Sequence, residues 1–230
     1  MDAKKLFSVN SLLLLLGFVL VVAIADNIQI FRLWETNAAS SNQYFTLVQL
    51  FGPTIGAFLG PLLGAGVVLV AEMFSFIFNA KEFTLLNVVR LSPMLFAAAY
   101  FALYAKKSKI GALAPLACAA LFIMHPVGAQ AWPFTLFWLI PLAATILPNN
   151  LLLRSYGATF SAHAIGGVLW IYTIPTTPAY WIALIPVVLV ERSVFAAGIS
   201  ASYYALSTIA AKLPFVQKSA LVAVEKKYAL

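Results

Sequence analysis

Long apolar runs occupy most of this chain, and proline, glycine, asparagine or charge separates each run from the next. Eight runs can be counted, at 9–25, 44–59, 61–78, 84–105, 110–127, 133–150, 157–174 and 180–205. They are continuous rather than alternating, which favours membrane helices over barrel strands. Only 9% of the residues are charged, too few to cover a water-exposed surface. We therefore predict an all-α, polytopic transmembrane helical bundle of about six to eight membrane segments, with 1–230 as a single integral membrane domain.

Four glycines at a spacing of four residues, here called the glycine ladder, interrupt the second and third runs: Gly52, Gly56, Gly60 and Gly64. Glycines at this spacing leave one helical face without side chains, so another backbone can approach closely. Pro53 and Pro61 each follow a glycine of the ladder and remove a backbone donor. The pattern predicts a Gly/Pro-interrupted hairpin at 44–78 that turns near Gly60, with the four glycines as helix-packing residues.

The basic residues predict the orientation in the membrane. They cluster at Lys4 and Lys5, at Lys106, Lys107 and Lys109, and along the tail from Lys212 to Lys227. If the amino terminus is inside and each run crosses once, all three clusters are cytoplasmic, and the uncharged loops 128–132 and 175–179 lie outside. We predict a multi-pass protein of the cell membrane with cytoplasmic N- and C-termini. The net charge of +7 is then a topology signal, and the predicted partner is the lipid bilayer rather than nucleic acid.

Both ends of the chain carry further signals. Lys4 and Lys5, the leucines of 12–16 and the small residues at 23–25 imitate a secretory signal peptide, so cleavage is an alternative to the uncleaved first helix that we expect at 9–25. The tail 213–230 alternates lysine with alanine, leucine and valine, which predicts a short amphipathic helix on the inner surface.

Ionisable and polar residues within the runs are candidates for a substrate-binding site, because such groups are costly inside a bilayer. Glu72 and Arg90 lie at the same predicted depth, roughly 9 Å below the outer boundary at 1.5 Å per residue, so they could form an ion pair. They either neutralise each other or line an outward-facing polar pocket with Asn79, Asn87 and His125. Trp132 and Trp181 could close that pocket, or could belong to an interfacial aromatic belt.

A second candidate position lies near the predicted midplane. His163 is level there with the adjacent Glu191 and Arg192, and it could contact substrate or form a purely structural hydrogen bond. Neighbouring residues on a helix point about 100° apart, so we expect that Glu191 and Arg192 do not both face one small site.

Enzymatic and metal-binding motifs are absent from the sequence. It contains no HExxH, GxSxG or Walker loop, and Cys118 is its only cysteine. We therefore expect no catalytic residues, no metal site and no cofactor. Because the chain has no nucleotide-binding motif, any ATP energy would come from another subunit.

Three stretches resemble the substrate-binding membrane subunits (S components) of energy-coupling factor (ECF) transporters. FLGPLLGAG at 58–66 resembles an apolar turn between two helices of that family, LNVVRLSP at 86–93 resembles the following helix, and HAIGG at 163–167 with 186–204 is similar to the closing helix pair. The family typically has six spans where we count eight, and the Ala-x-x-x-Ala surface of many members is absent from 12–25. The amino-terminal histidines of the cobalt and nickel members are also absent, which disfavours a metal substrate.

The resemblance implies a helical bundle that captures a vitamin-like organic micronutrient from outside. It also implies two kinds of partner, a transmembrane coupling protein and ATPase subunits. Two other functions stay open at this point. The chain could be a structural or assembly subunit of a larger membrane complex, with the glycine ladder as a packing face, or an intramembrane lipid-modifying enzyme with Glu191 or His163 as a base.

Overall fold

The computed structural model describes residues 9–32, 44–219 and 221–229. Its α-helices are α1 (Val9–Asp26), α2 (Thr54–Leu59), α3 (Pro61–Phe78), α4 (Leu85–Val89), α5 (Ser92–Ala105), α6 (Leu113–Met124), α7 (Pro126–Gln130), α8 (Ile140–Ile146), α9 (Leu151–Thr173), α10 (Pro178–Lys212) and α11 (Pro214–Gln217). Short 3₁₀ segments lie at Leu47–Leu50, Lys109–Ala112, Trp132–Leu139 and Lys226–Tyr228. Strands β1 (Gln29–Arg32) and β2 (Tyr44–Thr46) pair antiparallel. Helices make up 80% of the structure, which confirms the predicted all-α class.

In the described part of the chain, three helices are long and apolar enough, by length and composition, to cross a membrane: Pro61–Phe78, Leu85–Ala105 and Pro178–Lys212. Shorter apolar helices at Asn10–Asp26, Lys109–Met124 and Trp132–Ile146 fall within or close to other predicted runs. Two helix boundaries differ from those predicted from the sequence. The helix predicted from 157 begins at Leu151, where the Asn150 side chain caps it, and the helix predicted to end at 205 continues to Lys212. The total of six to eight membrane segments stays a prediction.

The glycine ladder lies where α2, α3 and α5 meet. A Cβ atom on Gly56 would come within 1.9 Å of the Ala98 carbonyl oxygen, and one on Gly64 within 2.6 Å of the Gly56 Cα. A Cβ on Gly52 would approach the Val48 carbonyl oxygen at 2.8 Å. These glycines are therefore needed for close backbone packing inside the chain.

Gly60 has a different role from the rest of the ladder. Apart from its two chain neighbours, no atom of the described residues lies within 4 Å of the position that its Cβ would take. Its φ of +83° and ψ of 171° belong to a region that is nearly exclusive to glycine. Gly60 is thus the turn between α2 and α3, where Pro61 starts the next helix with a suitable φ.

Contacts between helix termini show which termini lie together at each of the two ends of the bundle. At the first, the Asn79 end, the termini of α1 and α3 meet through a 2.7 Å hydrogen bond from Asn79 to Asn27. At the same end Tyr172 of α9 donates to the Leu121 carbonyl of α6. At the opposite end, the Arg154 end, Nε of Arg154 donates to the carbonyl of Phe101, which joins the start of α9 to the end of α5.

The carboxyl tail folds back on the Arg154 end. Of the tail 213–230, the structure describes 213–219 and 221–229, which contain the four-residue helix α11 and one 3₁₀ turn instead of the predicted amphipathic helix. The amide of Ala223 donates to the Phe58 carbonyl, and Glu225 accepts hydrogen bonds from Arg154 and Tyr203. Burying apolar side chains and pairing these polar groups stabilises the folded-back tail more than forming an exposed helix would.

Two groups of buried side chains hold the bundle together. One lies around Phe58, Phe101 and Tyr203 at the Arg154 end, and the other lies around Phe122, Phe134 and Trp138. In the second group, the rings of Phe122 and Phe134 are stacked with their centroids 5.9 Å apart. Large apolar side chains such as Ile77 and Phe78 remain exposed on the outside. Such an outer surface suits a lipid environment, where helix association depends on close packing rather than on the hydrophobic effect.

Candidate functional site

The predicted site residues lie in separate parts of the bundle. Glu72 and Asn79 are on the side of α3 that faces α1. Asn79 bonds to Asn27, whose own side chain donates to Ser75 at 3.2 Å. Glu72 is buried close to this polar cluster, 9% exposed. The hydrogen bonds of Asn27 with Asn79 and Ser75 connect the end of α1 to α3.

Arg90 lies away from Glu72. Its Nη1 donates to Oδ1 of Asn87 at 3.4 Å, and its guanidinium lies 5.5 Å from the ring centroid of Trp170 on α9. Among the residues that the structure describes, Glu72 and Arg90 form no ion pair. Equal depth on consecutive helices was therefore insufficient for pairing, because α3 directs Glu72 into the bundle whereas Arg90 is exposed.

His125 and Trp132 are both near the turn that leads from α6 into the Trp132–Leu139 segment. Nδ1 of His125 accepts a hydrogen bond from the Val127 amide and so caps α7, and its ring packs edge-on against Tyr172 at 5.1 Å. Trp132 is 52% exposed. Neither side chain reaches Glu72 or Arg90 through any contact in the described residues, so the single pocket predicted for these residues is not assembled.

His163 and Trp181 do come together, inside the second group of buried side chains. Trp138 Nε1 donates to Nδ1 of His163 at 3.0 Å, while Trp181 packs against Phe122 and Phe134 with centroids 4.9 Å apart. Phe134 also lies 5.3 Å from the His163 ring. Trp181 is 3% exposed, which places it in the core rather than in an interfacial belt.

Glu191 and Arg192 form a buried ion pair on α10. Oε2 of Glu191 accepts from Nη2 of Arg192 at 2.9 Å, and the two residues are 5% and 6% exposed. The expectation that they could not both face one site is wrong, because the long arginine side chain curls back to its neighbour and spans the 100° between them. Nη1 of Arg192 reaches Thr159 on α9 at 3.4 Å, and the guanidinium lies 5.2 and 5.0 Å from the ring centroids of Phe45 and Phe195.

These contacts define one candidate site between α9 and α10, which we call the His163–Arg192 site: Trp138, Thr159, His163, Glu191 and Arg192. Thr159 and His163 are one helical turn apart, so they share the face of α9 that meets α10. Among the described residues, Oε1 of Glu191 and Nε of Arg192 are buried without a hydrogen-bond partner. Buried unpaired polar atoms are costly. Atoms of Arg154, Trp170 and Ser207 are also buried and unpaired, but among the ion pairs of the described residues only Glu191–Arg192 has an unpaired atom on each partner.

The sequence analysis missed Trp138 and Thr159. Trp138 belongs to the aromatic-rich stretch WPFTLFWL at 132–139, which has no polar residue except Thr135 and reads as a membrane segment. Thr159 precedes His163 by four residues, a spacing that could have indicated a shared helical face.

A separate apolar groove of about 250 Å³ lies between α3 and α5. It is lined by Leu69, Met73, Phe76, Ile77, Phe83, Val88, Leu91, Ser92 and Leu95. The only polar side chain there, Ser92, already donates to the Val89 carbonyl. The groove contains none of the predicted site residues and has no unpaired polar group, so it is not the candidate site.

Comparisons with protein-family models, with curated proteins and with solved structures gave no match for this chain. In the described part of the chain, no group of three or more His, Cys, Asp or Glu residues could hold a metal ion.

Proposed function

We propose that this chain is a membrane-embedded, substrate-binding subunit for the uptake of a small, vitamin-like organic micronutrient, energised by separate ATPase subunits. The observation that carries the proposal is the buried Glu191–Arg192 pair, with one unpaired atom on each charged side chain. Nη1 of Arg192 reaches Thr159, one helical turn before His163. In a bundle with so few charges, an ion pair in a candidate membrane span is a functional feature by default. A ligand that satisfies both unpaired atoms would lower the free energy of the bundle.

The surroundings of the pair support a small organic ligand. Aromatic rings lie near both His163 and Arg192: Phe134, Phe137 and Phe160 near the former, and Phe45 and Phe195 near the latter. Sites for organic ligands in proteins are mostly apolar and contain a few well-placed polar groups.

The proposed membrane arrangement has eight crossings, with the Asn79 end outside and the Arg154 end in the cytoplasm. The contacts at the two ends are those expected if successive segments alternate in direction. Lys106, Lys107 and the tail lysines then face the cytoplasm, as the positive-inside rule requires.

The proposed partners, a transmembrane coupling protein and ATPase subunits, rest on the resemblance of 58–66, 86–93 and 163–204 to S components. The sequence has no nucleotide-binding motif of its own, which fits an energy source on another chain.

The other two functions have less support. An assembly subunit was suggested by the glycine ladder as a packing face, yet Gly56 and Gly64 are covered by Ala98 and by each other within this chain. A lipid-modifying enzyme would need a free base, whereas Glu191 is paired with Arg192 and Nδ1 of His163 already accepts a hydrogen bond.

Mass spectrometry of small molecules retained by the gently purified protein tests the proposal. We expect one organic compound at near-stoichiometric amount, reduced at least about tenfold in Glu191→Gln. Glu225→Gln is the matched control, because Glu225 also pairs with a buried arginine but lies at the Arg154 end. Equal retention in both variants, or copurification of a complex without ATPases and without any small molecule, would contradict the proposal.

A further inference from the structure

The two unpaired atoms of the His163–Arg192 site have opposite hydrogen-bonding character. Nε of Arg192 can only donate, and Oε1 of Glu191, as a carboxylate oxygen, can only accept. The remaining polar atoms of Glu191 and of the guanidinium have partners, since Nη1 reaches Thr159 and Nη2 reaches Oε2 of Glu191. A ligand that completes the site therefore brings one acceptor and one donor.

The charges of the site favour an uncharged ligand. Glu191 and Arg192 are 2.9 Å apart and compensate each other, so the site as a whole has no excess charge to attract an ion. A carboxylate placed against Arg192 would also meet the Glu191 carboxylate, and an ammonium placed against Glu191 would meet the guanidinium. Either ion would in addition lose its hydration on entering the bundle.

The aromatic side chains favour a flat ligand. The ring centroids of Phe134 and Phe160 lie 5.3 and 5.9 Å from that of His163. The rings of Phe45 and Phe195 lie 5.2 and 5.0 Å from the Arg192 guanidinium and meet edge-on with their centroids 5.0 Å apart. Planar rings pack well against such surfaces in stacked or edge-to-face geometry.

We propose that the His163–Arg192 site binds a planar, uncharged heteroaromatic compound that carries an acceptor and a donor next to each other, as a carboxamide or a cyclic amide does. The acceptor meets Nε of Arg192 and the donor meets Oε1 of Glu191. This inference rests on the proposed function and names the chemical class of its substrate.

Three probes with the same pyridine ring separate the possibilities: nicotinamide has both an acceptor and a donor, nicotinate is an anionic acceptor, and 3-picolylamine is a cationic donor. Binding to the full-length protein in lipid nanodiscs is measured at pH 7 by calorimetry and by the shift in unfolding temperature. We expect nicotinamide to bind at least about tenfold more tightly than either charged probe.

Two variants test whether the unpaired atoms cause that preference. Glu191→Gln removes the negative charge, so nicotinate should gain at least about fivefold relative to nicotinamide. Thr159→Val leaves Nη1 of Arg192 without its acceptor and should also increase the binding of nicotinate relative to nicotinamide. Glu225→Gln, remote from the site, should leave the ranking unchanged.

The outcomes distinguish this inference from the proposed function. Preferred binding of either charged probe, or an unchanged ranking in both site variants, overturns the inference but leaves a substrate-binding role intact. If no probe binds, the compound retained on purification tests the inference. A retained compound that lacks an adjacent acceptor and donor overturns it. Absence of both probe binding and a retained compound overturns the proposed function as well.

Discussion

Nε1 of Trp138 donates a 3.0 Å hydrogen bond to Nδ1 of His163, and this contact joins the Trp132–Leu139 segment to the middle of α9. A ring nitrogen that accepts a hydrogen bond carries no proton, so a neutral His163 has its proton on Nε2. Trp138 thereby determines which hydrogen-bonding groups the imidazole presents inside the bundle.

Trp138→Phe keeps an aromatic ring but removes the donor. We expect the free energy of unfolding to fall by about 1–3 kcal/mol, because Nδ1 of His163 loses its partner and a small cavity is left. Nitrogen NMR of the imidazole should then show a mixture of tautomers instead of the Nε2–H form alone.

Trp132→Phe is the control for that change, because it is the same substitution in the same segment at a side chain that is 52% exposed. It should alter the free energy of unfolding by no more than about 0.5 kcal/mol and leave the His163 tautomer unchanged. Equal effects of the two substitutions would mean that the hydrogen bond to His163 has no particular importance.

Depth along a helix could be predicted from the sequence, but the direction of a side chain around the helix could not. His163, Glu191 and Arg192 were expected at one level, and Arg192 bonds to Glu191 and to Thr159, one helical turn before His163. Glu72 and Arg90 were also expected at one level, yet one faces α1 and the other Trp170. Counting residues gives the depth of a side chain along its helix, whereas its direction around the helix depends on which helices are neighbours.

The hairpin was more predictable than the site because its cause is local. Glycine spacing and the position of Pro61 depend on backbone sterics within a few residues, and α2 and α3 begin and end accordingly. The assignment of Gly60 to packing was wrong in detail, since the sequence does not reveal a positive φ.

Gly56→Ala should disrupt the bundle. The added methyl would lie 1.9 Å from the Ala98 carbonyl oxygen, which belongs to the α5 backbone and cannot move aside easily. We expect a loss of at least about 3 kcal/mol in the free energy of unfolding, measured by denaturant titration in mixed micelles.

Gly66→Ala, on α3, provides the comparison, because no other side chain or helix of the described residues comes within 4 Å of its Cβ position. It should be neutral or should stabilise α3 by up to about 1 kcal/mol, since alanine favours helix more than glycine does. Similar destabilisation by both substitutions would show that helix propensity, and not the contact with α5, explains the result for Gly56.

The proposed crossings can be checked with cysteine labelling. Native Cys118 is buried, so the wild type should not react with a membrane-impermeant maleimide. Cysteines at the exposed positions Glu82 and Gln130 should be labelled from outside, and one at Lys106 only after the membrane is opened. Labelling of Lys106→Cys in intact cells would mean that 44–78 crosses once rather than twice.

Glu225 connects the tail to the bundle core. Its Oε1 accepts from Arg154 at 2.7 Å and from Tyr203 at 2.8 Å, and Arg154 is only 1% exposed. Partial burial opposes ionisation, but the Arg154 charge and these hydrogen bonds outweigh it and lower the pKa of Glu225 below its ordinary value. A carboxylate with a lowered pKa in the folded state stabilises that state above its unfolded pKa of about 4.3, and the contribution is lost as pH falls through the folded pKa.

Glu225→Gln should therefore destabilise the protein by about 1–3 kcal/mol at pH 7, because buried Arg154 loses its counter-charge. The difference in unfolding temperature between wild type and variant should shrink as the pH falls from 6 to 3, since protonation removes the same charge from the wild type. Trypsin at pH 7.5 should cleave after Lys226 and Lys227 faster in the variant, because the tail detaches more often. Glu82→Gln, at an exposed glutamate, should match the wild type in both measurements. A difference between wild type and Glu225→Gln that persists undiminished at pH 3 would show that packing rather than the ion pair holds the tail.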